Sequence, residues 1–124
     1  MIEKCYVTWS NIESFCEVLI DHVKMEKRKF SGVYGLPRGG LIPAVIISHK
    51  LNIPLLLAPA NECLIVDDIA DSGRSLIHFT ENDTQFNKYY IATIFYHERS
   101  IVKPDFYMYD KEDKWIVFPW EDDE

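Results

Sequence analysis

The sequence predicts an α/β fold: one domain over residues 1 to 124, a mostly parallel twisted sheet with helices on both faces. Three observations carry that expectation. Short apolar runs alternate along the chain with stretches of helical periodicity, and strands that alternate with helices pair in parallel through right-handed crossovers. Two glycine-bearing turns, Gly35-Leu36-Pro37-Arg38-Gly39-Gly40 and Asp71-Ser72-Gly73-Arg74-Ser75, each follow an apolar run and precede a helical one. Finally, Asp67 and Asp68 directly follow the apolar run Cys63-Leu64-Ile65-Val66, at the strand end where open α/β sheets hold their ligands.

In chain order, a short strand over residues 6 to 8 leads into a helix from Ser10, where Ser10 and Glu13 have capping-box spacing. Ile12, Phe15, Cys16, Leu19 and Val23 recur at helical spacing and form its expected buried stripe. Residues 32 to 36 read as a strand and residues 41 to 50 as a helix, with Pro43 tolerated in the first turn. Asn52 and Pro54 end that helix. Strands are expected over 53 to 58, 64 to 66 and 90 to 95, with a helix from about Gly73 to Thr80, and short extended pieces over 106 to 109 and 115 to 118.

Composition narrows the function. The 124 residues carry a net charge of −7, which argues against a nucleic-acid partner because backbone phosphates reward basic surfaces. No apolar run is long enough to span a bilayer, and the amino-terminal 30 residues lack a signal-peptide pattern; no membrane partner is expected and the location expected is cytoplasmic. Three cysteines without CxxC spacing fit free thiols in a reducing compartment.

Adjacent aspartates after a strand can simply open a loop, with Asp71 or Ser72 capping the next helix. Yet two neighbouring carboxylates need hydroxyls, a metal or solvent to accommodate them, and vicinal ribose hydroxyls suit them. Ser72, Gly73 and Ser75 bring small side chains, hydroxyls and backbone N–H groups to a phosphate at a helix start. The run from Cys63 to Ser75 resembles the signature of type I phosphoribosyltransferases, with serines at 72 and 75 where that family usually carries threonine. Arg74 adds a cation that contacts phosphate or faces water.

The Gly35-to-Gly40 turn has glycines that let a backbone approach a ligand and an arginine matched to phosphate oxygens; structural turns explain such a sequence about as often. One βα unit before the aspartates, it resembles the pyrophosphate loop of the same family. A third segment, Asp113-Lys114-Trp115-Ile116-Val117-Phe118-Pro119-Trp120-Glu121, resembles the purine site of xanthine-guanine and hypoxanthine phosphoribosyltransferases, and Tyr6-Val7-Thr8-Trp9-Ser10 is its amino-terminal counterpart, so the likeness spans nearly the whole chain. Core packing is the competing reading for these aromatics; it is favoured for Trp120, and ligand contact for Trp115. His97 stands where those purine enzymes use a lysine to donate to the 6-oxo group, and imidazole can donate or accept.

The resemblance implies magnesium-dependent transfer of a phosphoribosyl group from phosphoribosyl pyrophosphate to a purine base, a 6-oxopurine first, releasing pyrophosphate. Arg38, Gly39, Gly40, Asp67, Asp68, Ser72, Gly73, Arg74 and Ser75 would hold phosphoribosyl pyrophosphate. Asp71 would be the general base; His97, Trp115 and Ile116 would hold the base; Asp67, Asp68 and Glu121 would meet magnesium directly or through water. It further implies a reduced hood and a homodimer. One departure favours a different class, a noncatalytic regulator that binds phosphoribosyl pyrophosphate or a nucleotide. Only Pro59-Ala60-Asn61-Glu62 separate the expected strand 53 to 58 from Cys63, where catalytic relatives carry a longer loop that closes over substrates.

Overall fold

The computed structural model describes residues 2–81 and 89–122. Along them run β1 (Lys4–Tyr6), α1 (Trp9–Met25), β2 (Val33–Gly35), α2 (Leu41–Leu51), β3 (Leu64–Ala70), α3 (His78–Glu81), β4 (Tyr90–Tyr96), β5 (Phe106–Asp110) and β6 (Trp115–Val117). Four strands form a sheet in the order β2-β3-β4-β5, and β1 pairs with β6 in a separate two-stranded sheet. Every one of these ladders is parallel, as the strand-helix alternation predicts. The small sheet, with Lys4 opposite Trp115 and Tyr6 opposite Val117, brings the two ends of the described chain together as a reduced hood.

Helix α1 starts earlier than Ser10 suggests. Thr8 has the extended backbone of an N-cap, its Oγ1 accepts from Asn11 N at 3.1 Å, and Thr8 N donates to Asn11 Oδ1 at 2.9 Å. The capping box is therefore Thr8 with Asn11, and the first strand stops at Tyr6 because Thr8 is already committed to the cap. The expected stripe is buried throughout: Ile12, Phe15, Cys16, Leu19 and Val23, joined by Ile20.

Burial divides the core by sheet face. One cluster joins α1 and α2 to Val33, Leu64, Val66, Ala92 and Ile94. The other, under α3, gathers Cys63, Ile65, Ala70, Leu76, Ile91 and Val102. Both faces are thus covered, but the second helix layer is a single turn.

Three further sequence expectations change. Residues 53–58 form no strand: Leu55 makes one isolated bridge to Val33, with Val33 N donating to Pro54 O and Leu56 N to Val33 O. Pro54 has no N–H to offer and Leu57 is almost wholly exposed, so the segment remains an edge appendage. The helix expected from Gly73 is only His78–Glu81. Before it run three-residue turns, Leu76 N to Gly73 O and Phe79 N to Leu76 O, entered through Gly73 at φ +84°. Most consequentially, β3 does not end at Val66 but runs through the aspartates to Ala70, because β4 continues beside it, Asp67 opposite Thr93 and Ile69 opposite Phe95.

Candidate active site

The turn after β2 is pressed onto β3. Leu36 N donates to Val66 O at 2.9 Å and Gly40 N to Leu36 O at 2.9 Å. A Cβ on Gly40 would run into Val66 O, and one on Gly39 would run into the Asp68 carboxylate; only glycine allows this approach. The Pro37-Arg38 peptide is cis. Arg38, Gly39, Asp68, Trp120, Glu121 and Asp122 border a cavity of about 660 Å³.

Successive residues in a strand face opposite ways, and the two aspartates do so. Asp68 faces Gly39, with its Oδ1 accepting from Ile69 N at 2.7 Å. Asp67 is buried; its Oδ1 accepts from Asp68 N at 2.8 Å and its Oδ2 from Ser75 Oγ at 3.4 Å. Burial first, and the Asp68 charge second, push the Asp67 carboxyl up to about 8.

The turn after β3 is docked on residues 100–102. Ile101 N donates to Ser72 O at 2.9 Å, Arg74 N to Ser72 Oγ at 3.3 Å, and a Cβ on Gly73 would press on Ser100 Oγ at 2.6 Å. Since no long helix starts here, the turn offers an anion loop amides and hydroxyls instead of the helix dipole the sequence suggests.

A second cavity, about 550 Å³, lies between the strand ends and the hood, bordered by Asp68, Asp71, His97, Arg99, Lys111, Trp115, Ile116 and Glu121 among others. Asp71 Oδ1 accepts from Arg99 Nε at 2.9 Å and Nη2 at 2.8 Å, and Lys111 Nζ stands 4.0 Å from its Oδ2. The Arg99 hydrogen bond holds the Asp71 carboxyl below its ordinary value against some burial, with Lys111 adding to the effect. His97 N donates to Ala70 O at 2.9 Å, while its Nδ1 accepts from Arg99 N at 3.0 Å and its Nε2 lies 3.4 Å from Asp113 Oδ1. Trp115 is 60% exposed and Ile116 is buried beside it. Trp120 stacks on Phe118, planes 2° apart, and meets Trp9 at 6.0 Å; it packs as core and also borders the first cavity. Glu121 Oε1 accepts from Phe118 N at 2.9 Å, which aims the carboxylate along the hood.

The two cavities share Asp68 and Glu121. The sequence-predicted residues Arg38, Gly39, Asp68, Asp71, His97, Trp115, Ile116 and Glu121 are thereby brought together. Asp67, Gly40, Ser72, Gly73, Arg74 and Ser75 border neither of these two cavities; Asp67 and Gly40 support the wall from behind, and the 72–75 turn lies beside it. Arg99 and Lys111 are site residues that the sequence reading missed. Lys111 had a signal, since it lies two residues past the extended piece expected over 106 to 109, on the edge where the other strands end. Arg99 had none, being one exposed cation in a turn.

Among the described residues no three His, Cys, Asp or Glu side chains are grouped so as to hold a metal ion by themselves. Asp68 and Glu121 nonetheless fit magnesium, which takes oxygen from one or two carboxylates and completes its shell with water and substrate phosphate. Also among the described residues, no helix is long and apolar enough to cross a membrane.

No protein-family model matches the chain. In sequence it is similar to the xanthine-guanine phosphoribosyltransferase of Cereibacter sphaeroides, at 27% identity over 146 aligned positions covering 94% of this chain and 86% of the relative. The enzyme of the same name from Vibrio atlanticus is 25% identical over 144 positions, covering 98% and 91%. Both alignments are longer than this chain, so these relatives carry segments it lacks. In structure, a purine phosphoribosyltransferase from Pyrococcus horikoshii matches with a TM-score of 0.83 at 29% identity, covering 99% of this chain and 97% of the other.

Proposed function

The chain has the type I phosphoribosyltransferase fold and is a homologue of xanthine-guanine phosphoribosyltransferases over nearly its whole length, and from that premise we propose that it transfers the phosphoribosyl group of phosphoribosyl pyrophosphate to a purine base, preferentially a 6-oxopurine, in a magnesium-dependent reaction. The carrying observation is the pair of cavities joined at Asp68 and Glu121, one with Arg38 and Gly39 on its rim and the other with Asp71 and Trp115.

In this reading pyrophosphate lies in the first cavity, where Arg38 supplies a permanent charge matched to phosphate oxygens. The ribose sits at the junction, its hydroxyls against Asp68. Asp67, protonated or shared with Ser75, fixes the 72–75 turn so that its amides and hydroxyls meet the 5-phosphate. Trp115 covers the face of the base, and Ile116 offers backbone groups to its edge. Holding C1 and the attacking nitrogen in adjacent cavities removes the entropy cost of bringing them together. Asp71, kept ionised by Arg99, accepts the proton as the ring nitrogen forms its bond to C1 and the C1–pyrophosphate bond breaks. Magnesium, when bound, neutralises charge on the departing pyrophosphate, and Asp68 and Glu121 would hold it. A cytoplasmic homodimer goes with this reading, and sedimentation of the purified protein checks the stoichiometry.

The second reading, a noncatalytic binding protein, draws on the connection before β3. Ser31 N donates to Glu62 O at 3.1 Å, Ser31 Oγ to Asn61 O at 2.7 Å and Cys63 N to Ala60 O at 3.2 Å, which ties the connection down as a tight turn. Incubation with magnesium, phosphoribosyl pyrophosphate and guanine, xanthine, hypoxanthine or adenine separates the two. Base-dependent pyrophosphate release is expected; tight binding with no turnover for any base would overturn the transferase reading in favour of the second.

A further inference from the structure

Residues 97–101, between β4 and β5, grip the turn after β3 at three successive positions. Arg99 donates through Nε and Nη2 to Asp71 Oδ1, at 2.9 and 2.8 Å. Ile101 N donates to Ser72 O at 2.9 Å, and Ser100 Oγ stands 2.6 Å from where a Cβ on Gly73 would lie. The last two contacts are made by backbone and a short side chain. The first is different: the Arg99 side chain is 63% exposed, and an exposed arginine holds one geometry only against the rotamer entropy of a long side chain.

What fixes the base of that side chain is His97. The imidazole is only 12% exposed, and its Nδ1 accepts from Arg99 N at 3.0 Å. A backbone N–H can only donate, so Nδ1 is unprotonated and the neutral ring carries its proton on Nε2. That nitrogen lies 3.4 Å from the fully exposed Asp113 carboxylate, a longer and weaker contact. Among the described residues the ring thus spends its one short hydrogen bond inside the turn. Backbone bonds tie the same turn down, His97 N donating to Ala70 O and Ser100 N to His97 O, both at 2.9 Å. Lys111, the other cation beside Asp71, stands 4.0 Å from Oδ2, which leaves Oδ1 to Arg99.

We propose that His97 is a positioning residue: by holding the Arg99 backbone N–H, its imidazole aims the Arg99 guanidinium at the Asp71 carboxylate. Resting on the reading of Asp71 as the proton acceptor, the proposal gives His97 a task other than touching the base, although it borders the same cavity. The side chain of asparagine carries an acceptor about where Nδ1 lies, whereas that of glutamine reaches the place of Nε2. Asparagine should therefore do the work of His97, and glutamine should not.

The test follows Arg99 in wild type, His97→Ala, His97→Asn and His97→Gln by carbon- and nitrogen-detected NMR at about pH 8, where free imidazole is neutral, with thermal melts as a folding control. In wild type, His97 Nδ1 should be unprotonated, and rotation about the Arg99 Nε–Cζ bond should be slowed by the two-point hold on Asp71. His97→Ala should speed that rotation about 3- to 10-fold, the weight of one hydrogen bond; His97→Asn should restore the wild-type rate and His97→Gln should not. A protonated Nδ1, an unchanged rate in His97→Ala, or equal rates in His97→Asn and His97→Gln would overturn the assignment. Pyrophosphate release then tests the reading beneath it. In His97→Ala, kcat should fall about 3- to 10-fold by a common factor for every base turned over, with KM for the base within threefold, and His97→Asn should recover it. A changed order of bases would make His97 a base contact and overturn the positioning role. No release even by wild type would refute transfer, while the rotation rates would still decide the task of His97.

Discussion

Replacing Gly39 with alanine separates the site from the fold. A Cβ there would occupy the position of the Asp68 carboxylate, and real Cβ atoms essentially never come within 3.0 Å of a neighbour. The carboxylate or the loop must therefore move by about 1 Å, a displacement that can cost about 100-fold in rate when it misaligns reacting groups. Rotation of Asp68 is opposed by its 2.7 Å hydrogen bond from Ile69 N, but the clash is with the end of one side chain, so the fold can yield. Gly39→Ala should lower kcat/KM for phosphoribosyl pyrophosphate about 100-fold with a melting temperature within about 3 °C of wild type. Gly40→Ala is the contrast: its Cβ would meet the Val66 backbone carbonyl, which cannot swing aside, so stability should fall. Pyrophosphate release and thermal melts read the two outcomes. Gly39→Ala with kcat/KM within threefold of wild type would refute the claim that the Asp68 carboxylate organises the site from that position.

Three further outcomes follow from the same geometry. Because the folded chain holds Asp67 near 8 against an ordinary 3.8, it binds a proton the unfolded chain releases between about pH 4 and pH 8, and stability falls as pH rises through that window. Asp67→Asn should remove that fall, worth at most about 6 kcal/mol, so an unchanged slope of melting temperature against pH would contradict the burial account. Arg99→Gln frees Asp71 from the bond that depresses it, so the acidic limb of the pH–rate profile should move upward in pH, and a profile that does not shift would remove Arg99 from control of Asp71. Tyr90 buries a hydroxyl that has no hydrogen-bond partner among the described residues while its ring packs under the Arg28 guanidinium, 4.7 Å from the ring centroid. Tyr90→Phe should therefore be neutral or stabilising, by up to about 2 kcal/mol in a denaturant melt, and a clear loss would mean the hydroxyl is satisfied in solution.

Legibility from sequence tracked the range of the interactions involved. The buried stripe of α1 and the parallel order of strands were readable because periodicity and alternation record them locally. The cap was misplaced by two residues because Ser10-Glu13 and Thr8-Asn11 both offer the chemistry, and the end of β1 decides between them. Strand β3 was cut short at Val66 because aspartates lower strand propensity, whereas pairing of Asp67 with Thr93 and Ile69 with Phe95 extends it. In the site, Asp68, Asp71 and Trp115 carried motif signatures. Lys111 meets Asp71 only through the register of β4 and β5, in which Tyr96 faces Asp110, and no local pattern encodes a register.

The tied-down turn at residues 60–62 bears on the kinetics of turnover. Where a loop must open before product leaves, that opening is often the slowest step and the first turnover outruns the rest. Here Ser31 clasps Asn61 and Glu62, so in the proposed reaction this connection would impose no such delay on product release. Rapid mixing with phosphoribosyl pyrophosphate and base should accordingly give pyrophosphate linearly from the first turnover, with no burst and little dependence on solvent viscosity.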